Sequence, residues 1–513
     1  MLCLAEIFQD KMMLQREKKV SVWGKAEAGM EVRVRIQKVS AQARADADGK
    51  WKVVIPPLEA SYSEELEICA GKERIVLRDV AVGEIWIGAG QSNMEFPMFH
   101  ERNFQEEKKN VPQLLLRFFD VPEISYEGQR EAFDYTNTGI WREAGEKELA
   151  YFSAVGYYFQ KELANVLKVP TGIVGCNWGG TNCCAWMSRE AVERTGKPWI
   201  DDYEKKWLEL DEKQYWEQQN HIRLNDTGNP AMDDFSNFML PQTPEADEIK
   251  DYMEKNAQNM ELPQALSPKD IPGSLYEHMV KGIAPFAVKG VLWYQGEGED
   301  KLGEPQLYEG MLKALIKDWR NLWNESALPF LIVQLPAWER WFGLENHGLN
   351  IVRYCQEKAA EGLERVWLSG SSDLGERFDI HPKEKRIVGQ RLALLARGKI
   401  YGEEILCEAP RAESFILHKR ASGSEKGELV ISFSNAEGGL EIKGERLNAM
   451  RVFCAEKEPE FSARVEGNRL ILAGDFPEGI PIRLAFAQDK WFQVNLYNKA
   501  QLPALPFEIQ LEK

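Results

Sequence analysis

Histidine is scarce in this chain, with six among 513 residues, so any histidine set among other reactive side chains stands out. Cysteine lacks pattern. Cys3, Cys69, Cys176, Cys183, Cys184, Cys355, Cys407 and Cys454 form no C-x-x-C and no pair of clusters at zinc spacing. Reduced thiols are expected, with Cys183 and Cys184 as small packing residues. No run approaches the roughly 18 uncharged apolar residues of a membrane span. The start, Met1-Leu-Cys-Leu, has no basic segment, long apolar segment or small-residue cleavage site, so a cytoplasmic location is expected. Positive charge is in deficit. Against 81 acidic residues stand 64 Lys and Arg, giving a net charge of −17. That field repels phosphate backbones and anionic lipids, so neither nucleic acid nor membrane is an expected partner. Self-association is left open. There is no internal repeat and no low-complexity segment. Hydrophobic residues make up 44% of the chain, enough for large cores, and its length points to two to four domains.

Residues 1–83 read as an N-terminal β-sandwich. The runs 20–23, 31–36 and 51–55 alternate or are β-branched, and Asp48-Gly49 suits a tight hairpin. From 84 to 400 the pattern becomes α/β. Apolar strands are expected at 82–89, 169–175, 287–294, 329–335 and 365–369, with helices over 153–168, 306–323 and 383–397. That alternation predicts a doubly wound parallel sheet. Residues 195–280, rich in charge, Trp and Gln, read as an insertion carrying short helices. A C-terminal β-rich domain is expected over 401–513, with strands at 428–433, 469–472 and 482–486.

Four segments carry chemistry, each just beyond a predicted strand. Gly90-Gln-Ser-Asn-Met94 places Ser92 on a turn, where its hydroxyl is either exposed as a nucleophile or caps the helix that follows. Asn177-Trp-Gly-Gly-Thr181 offers backbone N–H groups for close approach to a ligand, or is simply a tight turn. Trp293-Tyr-Gln-Gly-Glu297 supplies Gln295, a neutral amide donor that Glu297 would orient. Asp373-Leu-Gly-Glu-Arg-Phe-Asp-Ile-His-Pro382 supplies His381 as a base, with Asp379 to hold the imidazole and Asp373 as the alternative. A metal set of Asp373, Glu376, Asp379 and His381 lacks a recognised spacing. Trp186, Trp293, Trp338 and Trp341 flank these segments. Each is more simply a core residue, though together they make at least one aromatic platform for a ligand expected.

In order and spacing these segments resemble the sialate O-acetylesterase-like branch of the SGNH hydrolases, which includes bacterial carbohydrate acetylesterases. The resemblance spans nearly the whole chain. It includes Met13-Leu-Gln-Arg16, Val22-Trp-Gly24, Phe152-Ser-Ala-Val-Gly156, Trp319-Arg320, Arg353 with Gln356, Asp379-Ile-His-Pro382 and Asn495-Leu-Tyr-Asn498, besides the segments above. It implies an SGNH-type sheet, Ser92 as nucleophile, His381 as base, and an oxyanion hole from the Ser92 N–H, the N–H of Gly179 or Gly180, and the Gln295 side chain. It implies an acetylated mono- or oligosaccharide as substrate and no cofactor or metal. Gln91, Asn93, Trp186, Trp293, Glu297 and Arg353 are then the expected substrate contacts. Two departures stand out: Gln295 replaces the usual Asn, and Glu299 brings an extra carboxylate that would disfavour sialic acid unless a cation such as Arg353 compensates. Xylan- or mannan-derived oligosaccharides are the alternative substrates. A non-catalytic carbohydrate-binding protein is the alternative class.

Overall fold

The structure is a computed structural model. It describes residues 1–219, 266–341, 344–418, 427–455, 457–477 and 480–511. Its organising element is one strand of 18 residues, β1 (Glu73–Gly90). The first half of β1 lies antiparallel to Ser61–Ala70 in the N-terminal β-rich part. The second half is the centre of a parallel sheet. The strand therefore runs straight through position 83. A single apolar core continues from Leu2 and Val20 through Ile85 and Trp86 to Leu395.

The N-terminal strands form two layers. Val20–Lys25 pairs with Cys3–Leu4 and Lys50–Ile55. Glu31–Ile36 pairs with Val39–Arg44 and Ser61–Ala70. The expected hairpin at Asp48-Gly49 is a corner instead. The strands on either side of it pair in different sheets, and Gly49 sits at φ +75° where an added Cβ would meet the Ala26 carbonyl at 2.5 Å.

The remaining parallel strands are β2 (Gln113–Asp120), β3 (Thr171–Asn177), β4 (Gly290–Tyr294), β5 (Phe330–Val333) and β6 (Val366–Ser369). Their order across the sheet is β2-β3-β1-β4-β5-β6, and Trp141–Ala144 adds an antiparallel edge beside β2. Every residue of β3, β4 and β5 is buried, as strands covered on both faces require. Helices α1 (Ala154–Leu167) and α4 (Arg386–Lys399) pack together over the sheet, and α2 (Leu307–Trp323) and α3 (Leu349–Glu361) form a second pair. After β1 the chain goes to β2 and returns through β3 on one side, then crosses to β4 on the other. β1 is thus the point where strand order reverses, and open α/β sheets bind ligands outside the strand ends at that point.

Of the expected insertion, Lys197–Leu208 and Glu212–Gln219 are helices, and 220–265 lie outside the described residues. Beyond residue 400 the strands Arg411–His418, Gly427–Ser434, Arg469–Gly474 and Phe461–Glu466 form one antiparallel sheet. Together with Met450–Cys454, Ile482–Phe486 and Phe507–Leu511 they build a second, separate core. Among the described residues no helix is long and apolar enough to cross a membrane.

Candidate active site

The sheet register aligns three of the four predicted segments. Asn177 at the end of β3 and Tyr294 at the end of β4 are both paired with Gly90 at the end of β1. Gly90 has φ +135°, and a Cβ there would lie 2.1 Å from the Tyr294 carbonyl oxygen, so only glycine lets the chain turn here. The turn delivers Ser92 as the first residue of a one-turn helix, Ser92–Glu95. Its N-cap is Gln91, and no side chain caps it. The Ser92 hydroxyl is instead 2.8 Å from His381 Nε2, which excludes the capping role. His381 itself lies in the long loop between β6 and α4.

Burial holds the His381 imidazole well below the ordinary histidine pKa, and the positive charges of Lys385, Lys383 and His100 push the same way. The ring is neutral at pH 7 and able to accept a proton from Ser92. The Asp379 carboxylate lies 3.9 Å from His381 Nδ1. It accepts the His381 backbone N–H at 2.8 Å and forms a buried ion pair with Lys383. Nδ1 has no hydrogen-bond partner among the described residues. Asp379 thus fixes the His381 backbone and sits beside the ring. Asp373 is engaged elsewhere, bidentate to Arg391 and hydrogen-bonded by Tyr497. Glu376 pairs with Arg102. Each carboxylate of the sequence-based metal set is thus held by a cation, and among the described residues no three His, Cys, Asp or Glu groups converge as metal ligands.

The glycine loop after β3 rests directly on the serine. A Cβ on Gly179 would stand 3.2 Å from Ser92 Cβ and 3.1 Å from Glu95 Oε2. The Gly179 N–H already donates to Glu95, which removes it as an oxyanion donor. The Gly180 N–H has no acceptor among the described residues, and Gly180 holds a left-handed φ of +71°. Of the two glycines, Gly180 keeps a free donor.

Gln295 is fully buried, and its amide is engaged on both sides. It donates to Glu299 at 2.7 Å and to the Thr181 carbonyl at 3.2 Å, and accepts from Tyr308 at 2.9 Å. The residue that orients it is therefore Glu299, not Glu297. Glu299 also accepts the Cys183 N–H at 2.7 Å, tying the β4 loop to the β3 loop. Burial raises Glu299 to about 7. A carboxyl raised in the folded state stabilises fully below its unfolded pKa and loses that contribution as pH climbs through the folded value. Between about pH 4.5 and 7.5 this removes on the order of 3 kcal/mol. Urea unfolding of wild type and Glu299→Gln at pH 5 and pH 8 should show wild type losing more stability on the alkaline step. Equal losses would refute the assignment.

The expected substrate contacts divide. Asn93 is buried, donates to Glu297 and to the Ile380 carbonyl, and accepts from Lys385. It locks the serine turn to the histidine loop and is not open to a substrate. Gln91 accepts the Gly296 N–H at 3.2 Å, a second lock on the β4 loop. Glu297 is 7% exposed, with its Oε2 unpaired among the described residues. Trp186 and Trp293 are fully buried, bonded to Thr181 and Tyr308, and are core residues. Arg353 is 2% exposed and stacks on Phe492 at 4.8 Å, where burial lowers it to about 9; its guanidinium nitrogens have no hydrogen-bond partner among the described residues. Among the flanking tryptophans Trp338 is buried, whereas Trp341 is half-buried with its ring edge-on to His381 at 4.9 Å. Trp341 is the aromatic surface at the site. Cys183 and Cys184 are buried thiols pushed well above the usual range, hence inert.

Several site residues left no trace in the sequence reading. Glu95, one turn beyond Ser92, lines a cavity of about 230 Å³ with Asp120, Trp178, Tyr126, Tyr151 and Lys269. Lys383 and Lys385 follow the histidine directly. Glu95 and the two lysines could have been found by projecting the short turns around Ser92 and His381. Lys269, ninety residues from the loop it touches, could not.

A serine hydroxyl paired with a neutral histidine at the switch point of a parallel sheet is suited to ester hydrolysis. The comparisons place this chain among the carbohydrate esterases. The family described as carbohydrate esterase, sialic acid-specific acetylesterase matches residues 248–396, a span that holds Gln295, Asp379 and His381. A carbohydrate acetylesterase from Xanthomonas citri matches in structure with a TM-score of 0.74, at 26% identity over 99% of both chains. Human sialate O-acetylesterase is 24% identical over 98% of this chain and 91% of its own length. The mouse sialate O-acetylesterase is 26% identical over 78% of this chain and 74% of its own. Over most of its length the chain is thus similar to sialate O-acetylesterases and to a bacterial carbohydrate acetylesterase.

Proposed function

We propose that this protein is a carbohydrate O-acetylesterase of the SGNH type that works through an acetyl-enzyme on Ser92. The observation that carries the proposal is the 2.8 Å pairing of Ser92 Oγ with a neutral His381 Nε2 at the end of β1. In the first step Oγ attacks the acetyl carbonyl and its proton passes to Nε2. The carbonyl pair moves to oxygen, which the Ser92 and Gly180 N–H groups stabilise. The tetrahedral intermediate then expels the sugar oxygen, which takes the proton from Nε2. In the second half water attacks the acetyl carbon, its proton goes to Nε2, and acetate leaves as Oγ recovers the proton. Gln295 serves this reading by holding the loops in register, since its amide is bonded internally.

The cavity that opens at Glu95, one turn beyond Ser92, favours an uncharged sugar over a carboxylated one. Four carboxyl groups line it, Glu95, Asp120, Glu123 and Asp134, against two cations, Arg142 and Lys269; burial raises Glu95 and lifts Asp120 to about 7, so the acidic excess grows as pH rises through neutrality. The test is acetate release from O-acetylated sialic acid, xylo-oligosaccharides and manno-oligosaccharides. Turnover of at least one, with the neutral oligosaccharides ahead, is the expected result. Glycan binding without any acetate release would replace the esterase with a binding protein.

A further inference from the structure

Two adjacent peptides of the glycine loop are each held by an ionisable side chain. The N–H of the Trp178–Gly179 peptide donates to Glu95, from the nucleophile's own helical turn. The carbonyl of the Gly179–Gly180 peptide accepts from Lys269 Nζ, on the short turn Pro268–Asp270. Lys269 Nζ also stands 5.7 Å over the Trp178 ring, which fixes the ammonium on one side of the loop. In a trans peptide the C=O and the N–H point in opposite directions. The carbonyl held by Lys269 belongs to the same peptide as the Gly180 N–H, so fixing one aims the other. The loop lies against the serine: a Cβ added to Gly179 would stand 3.2 Å from Ser92 Cβ.

We infer that Lys269 is a positioning residue: by holding the Gly179 carbonyl it turns the Gly180 N–H toward the oxyanion formed at Ser92. The ammonium also polarises that peptide, which makes its N–H a stronger donor. Glu95 sets the preceding peptide, so the loop is fixed at two successive planes. Removing one oxyanion donor from a serine hydrolase costs about 10²–10³ in kcat. Losing only the aim of a donor should cost less. The inference rests on the Ser92 acetyl-enzyme reading given above.

The experiment uses the full chain and the variants Lys269→Met, Lys269→Gln, Lys269→Arg and Ser92→Ala, with 4-nitrophenyl acetate as substrate. A 4-nitrophenyl dialkyl phosphate serves as a second probe, because its phosphoryl oxygen occupies the oxyanion position as Ser92 is phosphorylated. Lys269→Met is expected to lower kcat about 10- to 100-fold with KM within about threefold, and to slow phosphorylation in parallel. Lys269→Arg should recover most of both. Lys269→Gln is read in the same way if the Met variant does not fold. A kcat within about twofold of wild type, or a loss carried wholly by KM, or a loss that Arg does not restore, would overturn the inference. If Ser92→Ala retains full activity, the acetyl-enzyme reading itself fails. If Ser92→Ala is dead and the Lys269 variants are normal, only the positioning role fails.

Discussion

Ser92→Ala should lose at least about 10⁴-fold in kcat against an acetyl ester, and His381→Ala should lose about as much. The two groups form one device. The hydroxyl is a poor nucleophile unless Nε2 takes its proton during attack, and the imidazole does nothing for this reaction without the hydroxyl. The double variant should therefore be no slower than either single one. The remaining activity reflects binding and the N–H donors around the oxyanion, which neither substitution removes. Acetate release under single-turnover conditions measures all three proteins on one scale. A double variant slower than both single variants by their multiplied losses would show that the 2.8 Å contact is not a working pair.

Replacing Asp379 by Ala should cost about 10²–10⁴-fold in kcat/KM, with a change in pH dependence that identifies the cause. The carboxylate does two things visible in the structure. It holds the His381 backbone N–H, and it neutralises Lys383 beside the ring. Without it, an uncompensated buried ammonium faces the imidazole. That disfavours the imidazolium further, so the acid limb of the profile should move to lower pH while the plateau falls. Lys383→Met should do the reverse. It removes one of the charges that depress His381 and releases Asp379, so the acid limb should move up toward the ordinary histidine range. Profiles of kcat/KM from pH 4 to 9 decide the matter. A plateau for Asp379→Ala within about threefold of wild type would leave the aspartate a purely local backbone anchor.

The strand-and-turn frame was readable because its signals are local. β3, β4 and β5 are short apolar runs bounded by Gly or Pro, and α1 begins at Ser153, whose hydroxyl accepts the Gly156 N–H as a regular cap. Helix α3 went unread for the converse reason. It starts after Gly348 with no side-chain cap, and its buried face carries Arg353 and Gln356, which break the apolar period. β2 was missed although its sequence is strongly apolar, because only the one-turn helix Gln129–Ala132 separates it from the edge strand, too short to give a strand–helix alternation. The site shows the same division. Ser92 and His381 could be placed because each directly follows a strand end or its loop. Trp186, Trp293 and Arg353 could not be sorted from the sequence, since an aromatic or an arginine near a motif looks the same whether it faces the sugar or the core. Whether Gly179 or Gly180 keeps a free N–H depended on Glu95 and Lys269, side chains whose approach is set by tertiary packing.

One strand bears on how this enzyme could be cut and recombined. β1 begins as part of the N-terminal layers and ends two residues before Ser92. A fragment beginning at residue 84 would keep the catalytic half of that strand and lose the half anchored against Ser61–Ala70. The first eighty residues are therefore a footing for the serine and not a detachable accessory. Exchanging them between relatives would amount to moving the keel of a boat together with its rudder.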